Sequence, residues 1–382
     1  MTAGPAFHLT YCSNIHAGET WAEIDHNIRT YLPQVRRKLG HEGPFGVGLR
    51  LSAEAALTLE QPDELKRLQT WLHDEDFYVF TINGFPYGRF HGTRVKEEVY
   101  LPDWKDPLRL DYTNRLAAIL ATLLPEGMQG SVSTAPGAFK PNMQAAADVK
   151  LFAANLREHA RFLRELKQRT GKTITLAIEP EPCCYLETVD ETIRFFESEL
   201  KDPAIREHIG VCFDACHMAV EFEDPGDALE KLKSAGVPIY KVQVSSALRL
   251  RFNESAAARA AFTPFAEGTY LHQVVESDGA TIRRYADLPD AFTATADEGN
   301  REREWRVHFH VPVFMPEQED GLSTTQDFLI DLLHLLRADP SCVYLEVETY
   351  TWDVLPQSFR NVDIATAIAR ELDWVVQQLH DD

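Results

Sequence analysis

The chain has 382 residues, of which 44% are hydrophobic and 25% charged, and its 38 Lys and Arg against 59 Asp and Glu give a formal net charge of −21. This composition is that of a folded protein with a large core, and it excludes disordered, collagen-like and coiled-coil chains. The negative charge opposes binding to a phosphate backbone, so we predict no nucleic-acid partner.

The N-terminus lacks the basic and apolar regions of a signal peptide, and no run approaches the roughly 20 apolar residues of a membrane span. We therefore predict a cytoplasmic protein with no membrane insertion. The six cysteines lie mostly in or beside apolar segments, as reduced core thiols do. A homo-oligomer is compatible with all of these features.

Short runs rich in β-branched and aromatic residues alternate with amphipathic stretches along the chain. The predicted strands are 7–12, 45–51, 77–82, 131–134, 173–178, 209–213, 240–244 and 342–347. The predicted helices are 21–39, 62–73, 108–124, 143–169, 189–200, 225–234, 323–337 and 364–379. Repeated strand–helix pairs closed by a terminal helix predict a (β/α)₈ TIM barrel, an α/β fold, as a single domain over 1–382. A doubly wound sheet with a second domain is the competing interpretation.

The barrel interpretation requires an insertion after the seventh strand, at approximately 246–322. Within it, Asp278-Gly279 stands between two runs rich in β-branched and aromatic residues, which predicts a β-hairpin. A third strand at 306–314 can pair with this hairpin. A second irregular segment, 83–107, follows the third strand and is rich in Gly, Pro and aromatic residues. We predict a long loop there that forms a lid or a pocket wall.

The fifth to eighth predicted strands end in side chains with oxygen donors: Glu179 and Glu181, Asp214, Gln243, and Glu346 and Glu348. The carboxyl ends of barrel strands are where catalytic groups lie. Carboxylates that converge in a closed interior need compensation for lost solvation and mutual repulsion. One divalent metal ion (Mn²⁺, Mg²⁺, Co²⁺ or Zn²⁺) is the simplest compensation. The alternative is that these acids cap helices or pair with Arg50, Lys140 or Lys241.

Four segments resemble the xylose isomerase-like TIM barrels, which include sugar-phosphate isomerases and epimerases: Ile178-Glu179-Pro180, Phe213-Asp214-Ala215-Cys216-His217-Met218, Gln243 and Leu345-Glu346. In that superfamily a Glu, an Asp, a Gln or His, and a Glu hold one divalent ion. The resemblance implies that Glu179, Asp214, Gln243 and Glu346 are the metal ligands. It makes His217 a further ligand or a near neighbour.

Longer motifs at 9–16, 83–88, 100–104, 179–183 and 346–352 resemble the EboE family of metabolite traffic proteins, which bacterial ebo operons encode. This second resemblance covers almost the whole chain. It implies a role in moving or maturing a secondary metabolite, and it does not define a reaction.

Further polar residues are predicted at the same rim and are candidates for substrate binding: Asn14, His16, Arg50, Asn83 and His310. His308 and His310 are spaced by two in a predicted strand, so they project to one side. They can bind substrate, move protons or ligate metal, and the alternative is that either one is a buried core histidine.

Aromatic residues are concentrated in the 83–107 loop: Phe85, Tyr87, Phe90, Tyr100 and Trp104. Flat side chains can form a platform for a sugar ring or a cyclitol, and Tyr87 and Trp104 are our candidates for this contact. The alternative is that these rings anchor the loop to the core.

The leading hypothesis is a metal-dependent isomerase or epimerase of a small polyhydroxylated carbonyl compound, such as a sugar, an inosose or a related cyclitol derivative. Glu179 and Glu346 would take and return a carbon-bound proton, with His217 or His308 serving the oxygens. A hydride shift between carbons fits equally well. The alternatives are a non-catalytic metabolite carrier that keeps its metal and, third, a metal-dependent phosphodiesterase, which the acidic charge opposes.

Overall fold

Eight parallel strands form a nearly closed barrel, which confirms the predicted fold class. The computed structural model describes residues 1–3, 7–92, 96–252, 260, 262–266, 268–296, 302–315, 322–356 and 360–380. The barrel strands are β2 (Phe7–Tyr11), β3 (Phe45–Arg50), β4 (Phe77–Asn83), β5 (Gln129–Thr134), β6 (Thr173–Ile178), β7 (Ile209–Asp214), β8 (Ile239–Val244) and β14 (Tyr344–Val347). A two-residue strand, β1 (Thr2–Ala3), pairs antiparallel with β2.

The barrel closes between strands β2 and β3. Strand β14 lies between β2 and β8, and the remaining strands follow in chain order back to β3. A parallel bridge between Cys12 and Gly48 joins the two edge strands. The carboxyl ends of all eight parallel strands therefore open on one face.

Helices surround the barrel: α1 (Trp21–Leu39), α2 (Ala53–Leu59), α3 (Pro62–Asp74), α4 (Pro107–Leu123), α5 (Ala146–Thr170), α6 (Val189–Glu199), α7 (Pro203–Arg206), α8 (Ala215–Val220), α9 (Pro225–Ser234), α10 (Leu288–Ala294), α11 (Gln326–Ala338) and α12 (Ile364–Leu379). Helix α1 is an example of how the sequence sets the ends and the buried face of a helix. Thr20 and Glu23 form a capping box at its start, and Gly40 ends it with a φ of 67°. Its buried side chains recur every three or four residues and face the barrel.

A second, five-stranded antiparallel sheet lies beyond β8. Its strands are β9 (Ser246–Phe252), β10 (Val274–Ser277), β11 (Ile282–Tyr285), β12 (Arg303–Val311) and β13 (Leu322–Thr324). The predicted hairpin is present as β10 and β11, and the predicted third strand is β12, which pairs with β10.

Two strands of this sheet were not predicted. Strand β9 follows β8 after a single residue, and β13 occupies the position where we predicted the start of a helix. The alternation of Leu248 and Leu250 with Arg249 and Arg251 is the strand signal that the sequence analysis missed. No helix in the described ranges is long and apolar enough to cross a membrane.

Helix α12 carries a buried acid, Glu371, whose Oε1 accepts hydrogen bonds from Thr349 Oγ1 at 2.6 Å and from the Val313 amide at 3.2 Å. Burial raises its pKa from 4.5 to about 7. Because the folded chain holds this proton and the unfolded chain releases it above pH 4.5, the group destabilises the fold progressively as the pH rises through 7. Glu371→Gln keeps an oxygen acceptor at this position. We expect its free energy of unfolding to equal that of the wild type at pH 4.5 and to be about 3 kcal/mol higher at pH 8.5.

Urea unfolding at the two pH values measures this difference, and subtraction of the wild-type curve removes the contributions of other titrating groups. An equal effect of the substitution at both pH values would contradict the assigned role of Glu371.

Candidate active site

A pocket opens at the carboxyl ends of the barrel strands. Its lining is partly aromatic and partly polar. The polar lining comprises Asn14, Asn83, Lys96, Thr134, Glu179, Glu181, His217, Gln273, His308, His310 and Glu348. A concave site with converging polar groups is typical of small-molecule binding.

Three buried carboxylates meet beside the pocket, and two of them, Glu179 and Glu348, line it. Glu179 and Glu348 each follow a barrel strand directly, and Asp214 is the last residue of β7. One oxygen from each carboxylate lies within 4.8 Å of the others. Burial and the neighbouring acids, Glu348 foremost, raise the pKa of Glu179 well above its usual value, and burial and Asp214 raise that of Glu348. We call these three residues the carboxylate cluster.

Asp214 has one engaged oxygen and one free oxygen. Its Oδ1 accepts hydrogen bonds from Ser245 Oγ at 2.8 Å and from the His217 amide at 2.9 Å, so the side chain also caps helix α8. Its Oδ2 is buried and has no hydrogen-bond partner among the described residues. A buried carboxylate oxygen without a partner is unfavourable unless a cation satisfies it.

Two asparagines orient Glu348. Asn14 Nδ2 and Asn83 Nδ2 donate to Glu348 Oε1 at 2.7 and 2.8 Å. The sequence predicts both asparagines as substrate-binding residues, and both line the pocket. Their amide donors are directed at the carboxylate, so they act by holding Glu348 in position.

Glu346 lies elsewhere than the sequence analysis expected. Its carboxylate is fully buried inside the barrel, where Lys241 Nζ lies 2.6 Å from Oε2. Burial alone would lower the pKa of Lys241, and the Glu346 charge reverses this effect, so the pKa is raised. The charge of Glu346 is therefore balanced by Lys241, which is the alternative given in the sequence analysis. Glu348, and not Glu346, belongs to the carboxylate cluster. Gln243 is also fully buried, and its Oε1 has no hydrogen-bond partner among the described residues.

Three histidines form a second group beside the cluster: His217 on α8, and His308 and His310 on β12. His308 Nε2 lies 3.0 Å from His217 Nε2 and 3.2 Å from His310 Nε2. The three Nδ1 atoms point away and contact Pro180 O at 2.9 Å, Gln273 Oε1 at 2.8 Å and Glu348 O at 2.9 Å. Burial lowers the pKa of His310 to about 4 and that of His308 well below its usual value. We call these residues the histidine triad.

A hydrogen-bonded chain runs from the aromatic wall to the triad. Tyr100 Oη donates to Glu181 Oε1 at 2.5 Å, and Gln273 Nε2 donates to Tyr100 Oη at 3.0 Å. Gln273 Oε1 then faces His308 Nδ1. Glu181 thus lines the pocket with one oxygen held by a phenol. Gln273 was not identified from the sequence, where it is one polar residue in a predicted hairpin.

Four predicted substrate-binding residues do not line the pocket. Arg50 donates to backbone carbonyls of Gly18, Pro86 and Gly88 and pairs with Glu19, so it holds loops together. His16 stacks on Tyr31 and bonds to Tyr11. Tyr87 packs against Tyr112, and the fully buried Trp104 donates to Thr134. Their rings and charges contact the core and the loops, and none of the four side chains lines this pocket.

The aromatic wall consists of Phe85, Phe90, Tyr100, Tyr270 and Tyr350. Three of these rings come from the predicted loop after the third strand. Tyr270 and Tyr350 were not identified, because one precedes the inserted hairpin and the other follows the last barrel strand. Phe90, Tyr270 and Tyr350 pack on one another with centroids 4.8 to 5.4 Å apart. The insertion and the loop therefore build one wall.

The chain matches no family model, and no curated protein matches it in sequence. Solved structures do match. A xylose isomerase-like TIM-barrel protein from Mycobacterium smegmatis, in complex with magnesium, aligns with a TM-score of 0.56 and 12% identity over 99% of this chain and 98% of that one. The structural neighbours are xylose isomerase-like TIM-barrel proteins.

Two other neighbours align over most of both chains with lower scores. The probable 3-DHS dehydratase AsbF from Bacillus anthracis has 13% identity and a TM-score of 0.48 over 96% of this chain and 97% of its own. The IOLI protein with a bound zinc atom has 11% identity and a TM-score of 0.46 over 97% and 98%. At 12% identity, the match to the Mycobacterium smegmatis protein shows the fold alone.

Proposed function

We propose that the protein is a divalent-metal-dependent isomerase or epimerase of a small polyhydroxylated carbonyl compound, such as a sugar, an inosose or a related cyclitol derivative. The observation that carries the proposal is the carboxylate cluster, three buried acids of which Glu179 and Glu348 line a pocket with an aromatic wall. Such a pocket offers oxygen ligands for a cation and flat rings for the carbon face of a sugar.

The residues present fit a divalent ion. Glu179, Asp214 and Glu348 would hold it, with the amide oxygen of Gln243 as a further candidate ligand. The unpartnered Asp214 Oδ2 and Gln243 Oε1 support this assignment, since both are buried oxygens that need a partner. The donor set of carboxylate and amide oxygens favours Mg²⁺ or Mn²⁺ and tolerates Co²⁺ or Zn²⁺. A bound divalent ion polarises a carbonyl oxygen and makes the neighbouring C–H proton easier to remove.

Glu181 is the acid–base residue that we propose in place of Glu346. Glu346 is paired with Lys241 inside the barrel, whereas Glu181 lines the pocket. The phenol of Tyr100 holds Glu181 Oε1, which leaves the second oxygen to take a proton from the substrate and return it. Glu179 stays a candidate for the second proton transfer.

Turnover tests this proposal directly. The purified protein, stripped and reloaded with Mg²⁺, Mn²⁺, Co²⁺ or Zn²⁺, is incubated with aldoses, ketoses, inososes and their phosphates in D₂O. We expect metal-dependent conversion of one class, with deuterium in the product if a carbon-bound proton is transferred. Glu181→Gln should reduce turnover at least about 100-fold while metal content is unchanged.

Glu223→Gln is the matched control, because Glu223 is a half-buried acid that accepts from the Val189 amide outside the pocket. It should keep full turnover. Conversion that survives Glu181→Gln would contradict the assigned role of Glu181.

A carrier role for the same pocket is the second candidate. It is supported by the resemblance to the EboE family, since residues of those motifs line the pocket, among them Asn14, Asn83 and Glu348. A carrier would bind one compound of the panel tightly, in a metal-dependent manner, and release it unchanged. That result would replace the isomerase proposal.

A further inference from the structure

We propose that Gln273, which the insertion supplies, is a positioning residue for the proton transfer: its single amide holds both Glu181 and the imidazole of His308. The inference rests on the proposed function, because it concerns how Glu181 is held for its acid–base role. It goes beyond that function, because it assigns the insertion a part in the reaction as well as in the wall of the pocket.

The inserted sheet sets Gln273 beside His308. The register of β10 against β12 pairs Val274 with Val307, so Gln273 and His308 are the next pair along the two strands. The backbone amide of His308 donates to the carbonyl oxygen of Gln273 at 2.9 Å. Partners across two strands project to the same face of the sheet. Both residues line the pocket, so this face of the insertion is directed at the barrel mouth.

The surroundings of Gln273 fix the orientation of its amide. Its Nε2 lies 3.3 Å from the carbonyl oxygen of Pro182, 3.0 Å from Tyr100 Oη and 3.5 Å from Glu181 Oε1. The carbonyl oxygen can only accept, and the Tyr100 hydroxyl donates its proton to Glu181, so the group that faces all three is the amide NH₂. The amide oxygen then faces His308 Nδ1 at 2.8 Å, and this nitrogen carries the proton.

Tyr100 transmits the constraint to Glu181. Its ring stacks on Phe85 and on Phe139, with centroids 5.6 and 5.8 Å away. Its hydroxyl donates to Glu181 Oε1 at 2.5 Å and accepts from Gln273 Nε2 at 3.0 Å. A hydroxyl that accepts a hydrogen bond is a stronger donor, because linked hydrogen bonds polarise one another. The contact with Gln273 therefore strengthens the bond that keeps the Glu181 carboxylate in one orientation.

Gln273 also keeps the imidazole of His308 away from Glu181. His308 Nδ1 lies 3.7 Å from Glu181 Oε1, and its proton is held by the amide oxygen of Gln273 at 2.8 Å. Without the amide, the charge of the carboxylate would draw this proton, since hydrogen bonds to ionised groups are the stronger ones. The imidazole would then occupy the carboxylate oxygen and turn Glu181 from its position. The amide thus holds both groups in a fixed geometry.

The amide of Gln273 is engaged by the protein at both ends. Its side chain is buried, its NH₂ group donates to Tyr100 and Pro182, and its oxygen accepts from His308. We therefore expect Gln273 to act on the reaction through Glu181 and not by contact with the substrate. A positioning residue of this kind affects kcat, whereas a residue that binds substrate uniformly affects KM.

Gln273→Leu removes the amide and keeps a side chain of similar size. With the compound that the metal-loaded wild type converts, we expect kcat to fall about 100-fold, as a misplacement of about 1 Å causes, and KM to stay unchanged. Gln326→Leu is the matched control, since Gln326 is half-buried and its amide donates to the Val313 carbonyl oxygen outside the pocket. It should keep both constants. A raised KM with an unchanged kcat would overturn the proposal.

Tyr100→Phe tests the route from Gln273 to Glu181. Because both residues act on the same carboxylate, the double variant Gln273→Leu with Tyr100→Phe should keep a kcat well above the product of the two single losses. Single losses that multiply in the double variant would show that Gln273 does not act through Tyr100, and would overturn the proposal.

Nitrogen-15 NMR of the Mg²⁺-loaded, histidine-labelled protein tests the contact without substrate. We expect the wild type to carry the His308 proton on Nδ1, with the signal assigned by its loss in His308→Gln, and Gln273→Leu to displace this signal. The signal of His159, a fully buried histidine that bonds to Asn114 outside the pocket, is the internal control and should stay unchanged. A wild type with the His308 proton on Nε2 would overturn the proposal, and so would a His308 signal unchanged in Gln273→Leu.

The failure of this inference and the failure of the proposed function give different results. A wild type that converts no compound of the panel contradicts the proposed function. A wild type that converts one, with kcat unchanged in Gln273→Leu, contradicts only the role of Gln273. If Gln273→Leu does not fold, the wild-type NMR spectrum decides the inference by itself.

Discussion

Replacing Lys241 with Met is expected to lower the free energy of unfolding by about 3–5 kcal/mol. Lys241 and Glu346 are both completely buried, and their charged atoms lie 2.6 Å apart. Lys241 Nζ also donates to Ser133 Oγ at 3.2 Å. Removal of the lysine leaves the Glu346 carboxylate without its counter-charge inside the barrel, and this uncompensated charge causes the loss. Urea unfolding at pH 7.5 measures it.

The double variant Lys241→Met with Glu346→Gln removes both charges, so we expect it to regain most of the lost stability. Lys150→Met is the surface control, since Lys150 pairs with Glu199 and is 66% exposed. It should change the free energy of unfolding by less than about 1 kcal/mol. A loss in the double variant as large as in Lys241→Met would show that the pair is not the source of the effect.

Glu348→Gln is expected to weaken binding of Mg²⁺ or Mn²⁺ by at least about 100-fold, because even partners that only orient a ligand contribute about 10–100-fold. The substitution removes one charge from the carboxylate cluster and keeps the shape of the side chain. Asn83→Leu should weaken binding about 10–100-fold, since Asn83 donates to Glu348 Oε1 at 2.8 Å. Isothermal titration calorimetry of the stripped protein measures both effects.

A variant at Glu346 shows which of the two glutamates at the end of the last barrel strand, Glu346 or Glu348, binds the ion. The double variant Lys241→Met with Glu346→Gln leaves the cluster intact and should bind the ion as the wild type does. If this variant lost the ion while Glu348→Gln kept it, the ligand set implied by the resemblance would be right and the cluster derived from the structure would be wrong.

The sequence by itself determined the barrel. Each predicted barrel strand is present, and helices α1, α9 and α12 have the predicted bounds. The strands and helices could be predicted because buried residues recur with a period of about 2 in strands and about 3.6 in helices, and this spacing is visible within each segment of the sequence. The acids at the strand ends were also recognisable, since the chain places polar groups directly after apolar runs. Local patterns therefore predicted a candidate site at the barrel mouth.

Only the tertiary structure decided which side chains share that site. Glu346 and Glu348 are two residues apart in an extended segment, so periodicity places them on the same side and cannot separate them. The position of Lys241 on the neighbouring strand gives Glu346 its partner and leaves Glu348 for the cluster. In the same way, the inserted sheet brings His308 within 3.0 Å of His217 across 91 residues of chain. Contacts between segments this far apart depend on how the sheets pack, and no local pattern of residues encodes them.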